Sequence, residues 1–166
     1  MVKTLNKKGN IILDTLTILV VILAFGIITV YSNQIFGDVN TDIQASDTMS
    51  NESKAQVQAL YTRFPDVMDG LFVFMFILLW AVALLMSYLI DSHPVFFILS
   101  IVLLVFVIFI GGILANTYED VISEDSISAY AAEFPMMNYI ITHIIEFTVA
   151  IAFSIGVVLY GKYRNL

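Results

Sequence analysis

The stretch GLFVFMFILLWAVALLMSYLIDSHPVFFILSIVLLVFVIFIGGILA, residues 70–115, decides the fold. It contains two apolar runs, 70–90 and 95–115, with no charged side chain in either and only Asp91-Ser92-His93-Pro94 between them. A hydrocarbon core about 30 Å thick is crossed by about 20 apolar residues at helical rise, so each run is long enough. Four residues cannot leave a bilayer and return as a domain, which makes the pair a helical hairpin. The arms must be helices because lipid offers backbone N–H and C=O groups no partner. Pro94 suits the first helical position of the second arm, with Ser92 or His93 as its cap.

Composition agrees with that reading. The 166 residues are 60% hydrophobic and 13% charged, with mean hydropathy +0.93, against about 45–50% and 25% in soluble domains. There is room for several spans and for no soluble domain of ordinary size, so residues 1–166 read as a single membrane domain. A net charge of −7 argues against nucleic acid, whose phosphates call for clustered Lys and Arg. With no cysteine, disulfides and thiolate metal sites are excluded.

Toward the N-terminus, residues 11–32 form another apolar run, interrupted only by Asp14 and preceded by Lys3, Lys7 and Lys8. The run exceeds the 7–15-residue apolar core of a secretory signal and has no Ala-x-Ala exit, so it reads as a retained span. Lys7-Lys8-Gly9-Asn10-Ile11-Ile12-Leu13-Asp14 resembles the prepilin processing motif, which would place a cleavage after Gly9. Pilins follow one such helix with a soluble head, whereas this chain goes on to further spans. The reading preferred for these residues is a basic anchor with Asp14 near the water interface, favoured there by the helix dipole.

Residues 33–69 are polar. Their first half, 37–51, is rich in Asp, Asn, Ser and Thr and reads as a loop. From 52 to 64, Ala55, Ala59, Leu60 and Phe64 follow a loose helical spacing. They suggest a short amphipathic helix at the membrane surface that stops before Pro65. After the central hairpin comes an acidic segment, 116–135, and then a last apolar run, 138–160, containing His143 and Glu146. The expected fold is therefore all-α, an integral membrane four-helix transmembrane bundle with spans at about 11–32, 70–90, 95–115 and 138–160.

Charge sets the expected orientation. Five of the seven basic residues lie in the two tails, and the two longer loops hold six and five of the fourteen acids. The positive-inside rule places both termini in the cytoplasm, or on the equivalent inner side, and the acidic loops outside. Tyr31, Tyr118 and Tyr139 then fall at the outer interface, with Tyr88, Tyr160 and Tyr163 at the inner one, as aromatic belts do.

Among candidate functional residues, His143 and Glu146 lead. At i and i+3 they share a face of one helix, and ionisable groups at depth face protein or water. The pair is either a proton or cation site or an interhelical polar clamp, and the clamp is preferred because spans two and three offer no second acid or His. Asp14, Asp91 and His93 read as interface residues that cap and hydrate helix ends. No H-E-x-x-H, G-x-S-x-G or phosphate-cradling glycine loop occurs. No catalytic residue, metal or cofactor is therefore expected. Gly111-Gly112 reads as a packing notch.

Three further stretches carry a resemblance of layout. They are Asp91-Ser92-His93-Pro94 before the third span, Tyr118-Glu119-Asp120 after it, and Phe134-Pro135-Met136-Met137-Asn138-Tyr139 before the fourth. Together, over roughly the last hundred residues, the chain resembles small multi-span proteins of viruses that carry a lipid membrane inside a capsid. That resemblance implies a non-enzymatic structural or assembly protein in a virion membrane. Its acidic outer loops would face other membrane or capsid-type proteins, and homo-oligomers are allowed. The rival readings are a small oligomeric ion or proton channel, a transporter subunit and a holin-like permeabiliser, each placing His143 and Glu146 on a conduction path.

Overall fold

The computed structural model describes residues 11–89 and 94–164, and every regular element within them is helical. In chain order these are α1 (Ile11–Ala45), α2 (Asn51–Leu89), α3 (Pro94–Ile122), α4 (Ser128–Ala131), α5 (Pro135–Thr142) and α6 (Ile144–Arg164). α1, α2 and α3 are each long and apolar enough to cross a membrane, and α5 with α6 adds a fourth if that bent pair is one span. α1 packs on α2 and α3, and α6 packs on the same two helices.

The first two helices are longer than a bilayer requires. At about 1.5 Å per residue, 35 and 39 residues give roughly 52 and 58 Å against about 30 Å of hydrocarbon. The excess is a helical hairpin of residues 33–69, closed by a turn at 46–50. Neither the loop expected over 37–51 nor the helix end expected before Pro65 is present. α1 continues through Gly37 to Ala45, and α2 runs unbroken through Pro65.

The polar residues of this stretch are what join the helices. Asn33, Gly37 and Asn40, spaced three and four apart, are buried along one stripe of α1. Asn40 Nδ2 donates to Gln58 Oε1 at 2.9 Å, Gln44 Nε2 donates to Lys54 O at 2.9 Å, and Lys54 Nζ donates back to Gln44 O at 2.8 Å. Phe36 meets the edges of Tyr61 and Phe64 at 5.9 and 5.7 Å between ring centroids. Ser50 begins α2 by accepting the Ser53 N–H on its hydroxyl at 3.2 Å, and Glu52 lies in the first turn, where the helix dipole favours an acid. An interior proline costs a helix about 3 kcal/mol. Here it falls where Phe64 and Asp69 are held by neighbouring elements on either side.

Pro94 opens α3 and Pro135 opens α5, both at first helical positions as proline prefers. Residues 1–10 and 90–93, the latter including Asp91 and His93 of the expected turn, lie outside the described residues. Asp14 is within α1.

The apolar windows of α1, α2 and α3 are only 28%, 11% and 17% buried. Their remaining faces are covered with Leu, Ile, Val and Phe, the surface that lipid requires. The dense core sits instead at the hairpin end. Tyr118, Phe134, Ile127, Met137, Val30 and Asn33 are fully buried there, beneath α4 and α5.

Candidate functional site

Polar groups at the hairpin end converge on α5. This helix begins at Pro135, and its capping position is Phe134, which has no side-chain oxygen to offer the free N–H groups of the first turn. The oxygens come from another helix. Asp69 of α2, 8% exposed, accepts the Met137 N–H on Oδ1 at 2.7 Å and the Met136 N–H on Oδ2 at 3.1 Å. A buried carboxylate has a strong need for such donors, and the positive end of a helix supplies them.

One turn further on, Asn138 ties α5 to two more elements. Its Oδ1 accepts from the Tyr118 hydroxyl of α3 at 2.5 Å, and its Nδ2 donates to Ala131 O of α4 at 2.7 Å. Tyr118 is therefore wholly buried and does not belong to an interfacial belt, whereas Tyr31 and Tyr139 are 40% and 57% exposed. Beside it, Asn33 of α1 donates through Nδ2 to Glu133 Oε2 at 2.7 Å, leaving its own buried Oδ1 without a partner. Gln34 Nε2 reaches Ser126 O at 3.4 Å. Between α2 and the segment before α5 lies an open groove of about 310 Å³ lined by Tyr61, Thr62, Pro65, Asp66 and Glu133.

Close approach in this region depends on glycine. A Cβ on Gly26 would lie 2.6 Å from Ile141 Cδ1 and 3.0 Å from Tyr118 Cε2. One on Gly37 would lie 2.9 Å from Tyr130 Cε1. Gly111 and Gly112 face Ile144 and Ile145 of α6, as a packing notch would.

His143 and Glu146 do not share one continuous helix. The chain bends by 72° between α5 and α6, and His143 is the residue at the bend. Its Nδ1 lies 3.0 Å from Tyr139 O and 3.0 Å from Thr142 Oγ1, and its ring stacks on Tyr139 at 4.3 Å. Glu146, in the first turn of α6, is exposed on the same side as Val149, Phe153 and Tyr160. Along α6, Ala150 is exposed, while Ser154 accepts the Trp80 indole N–H of α2 at 3.0 Å. Among the described residues no three His, Cys, Asp or Glu side chains converge as metal ligands would.

The residues that organise this end, Asp69, Asn138, Tyr118 and Asn33, are absent from the sequence-derived candidates. Asn138 carried a usable signal, being a polar residue one turn into an apolar run behind Pro135. Asn33 and Asn40, seven apart in the polar stretch after the first apolar run, also trace a helical stripe. No family model, curated protein or solved structure matches this chain.

Proposed function

We propose that the chain is a non-enzymatic structural or assembly protein of a membrane, a four-helix transmembrane bundle whose acidic hairpin end engages basic partner proteins. The observation that carries this reading is the use made of the polar groups at that end. Asp69 caps α5, Asn138 joins α3 to α4, and Asn33 holds Glu133. Each is engaged in holding elements together. What remains is surface charge: besides Asp69 and Glu133, residues 33–69 and 116–135 carry nine acids against Lys54 and Arg63. A partner of opposite sign would be steered to such a surface and held in register by it.

With both termini on the inner side by the positive-inside rule, the hairpin of 33–69 projects outward. The test is site-specific photocrosslinking from Asp42 and Leu60 in the native membrane. The expected product is one adduct with a protein of basic surface, weakened at about 1 M salt, where the Debye length falls to about 3 Å. Replacing Asp38, Asp42, Asp47 and Glu52 by their amides should abolish that adduct. Recovery of lipid adducts alone, with the amide variant unchanged, would reject the proposal.

A further inference from the structure

The 72° bend at His143 falls where the sequence offers no helix breaker. Sharp kinks arise at proline, at glycine, at π-bulges or where a group inserts into the backbone ladder. Residues 136–155 contain neither Gly nor Pro. Across the break the His143 N–H still donates to Tyr139 O at 3.1 Å and the Phe147 N–H to His143 O at 3.2 Å. Thr142 Oγ1 donates to Asn138 O at 2.8 Å, and His143 Nδ1 lies 3.0 Å from Tyr139 O. Straightening would sacrifice none of these backbone bonds. The bend is imposed from outside, by whatever holds α5.

Three groups hold it. Met137, Ile140 and Ile141 are buried between α1, α2 and α3, Asn138 is clipped to Tyr118 and Ala131 O, and Asp69 grips the first turn. Lipid gives these apolar groups no hydrophobic drive to associate, which leaves close packing and interhelical hydrogen bonds to hold the helix. Among those bonds, the Asp69 carboxyl makes two, both directed at the helix N-terminus.

We propose that α5 is a releasable plug, held bent across the hairpin end of the bundle by the Asp69 carboxylate and able to straighten onto α6 when that hold is lost. Release would turn residues 135–164 into one continuous helix. It would also uncover the groove between α1, α2 and α3 in which Ile141 now lies against Gly26. The inference is independent of the assembly reading above, because it concerns the position of α5 and no partner.

The chain has no cysteine, so spin labels can be placed at Met136→Cys and Val157→Cys, which are 59% and 54% exposed. With 1.5 Å rise and the 72° bend, the axis-to-axis separation is about 26 Å bent and about 32 Å straight. Full-length protein in lipid nanodiscs should give the shorter distance. Asp69→Ala should move the peak out by about 6 Å, and Asp69→Asn, which keeps one acceptor oxygen, should give both distances. Asp66→Ala, one turn away on α2 and free of α5, should leave the shorter distance alone. Emission from Trp80, bonded to Ser154 of α6, reports that α2 and α6 remain packed. If Asp69→Ala fails to fold, the two-distance pattern in Asp69→Asn decides. An unchanged short distance in folded Asp69 variants overturns the proposal. So does a broad distribution without the longer peak, which would mean that α5 unwinds.

Discussion

Tyr118 and Asn138 make the shortest described side-chain bond, 2.5 Å, and both side chains lie at a junction of three elements. Removing one buried partner costs more than the bond contributes, because the other group is left desolvated and unpaired, at about 1–3 kcal/mol per group. Asn138→Leu strands the Tyr118 hydroxyl and Ala131 O together, so it should destabilise by about 2 kcal/mol or more. Tyr118→Phe should cost about 1 kcal/mol. The double variant should lose less than the sum, with a coupling of about 0.5 kcal/mol or more. Thermal unfolding of the four proteins in one detergent measures this cycle; additive losses would show that the two residues act separately. At this scale the sequence was least readable. Asp69 borders an apolar run, and nothing near it in sequence shows that its partners are two N–H groups almost seventy residues away. Glu146 stood out as an acid in a span, yet its exposure depends on a bend that no Gly or Pro announces.

The spanning elements could be read because lipid imposes a single rule, an apolar stretch of sufficient length, on each of them. Residues 70–90 and 95–115 satisfy it by composition alone, and α2 and α3 cover them as far as the described residues extend. Where polar residues take over, the rule is silent. Residues 37–51 look like loop by composition, but the buried Asn40 and the exposed Gln44 both bond across to α2. Pro65 looks like a stop, but packing on both sides carries the helix past it. Glycines decide how closely these elements approach. Gly26→Val would press on Ile141 and Tyr118, and overpacking of this kind costs about 1–3 kcal/mol. The expected result is a lower unfolding temperature in detergent with unchanged helix content by circular dichroism. A variant as stable as wild type would show that α5 is not seated against α1.

Across the whole molecule, charge and hydropathy lead to one layout, with the described polar interactions concentrated at the hairpin end and lipid-compatible surface over the rest. Under the proposed orientation, single cysteines at Ser50 and Ser126 should react with an impermeant maleimide on intact cells. One at Ser92 should react only after permeabilisation, and the reverse pattern would invert the topology. On the proposed reading the polar groups of this protein build it and do not conduct through it. Reconstitution into proteoliposomes with a proton or cation gradient separates the two roles. Wild type and Glu146→Gln should both leak no faster than protein-free vesicles while retaining the same unfolding temperature. Robust wild-type flux that disappears in folded Glu146→Gln would contradict it.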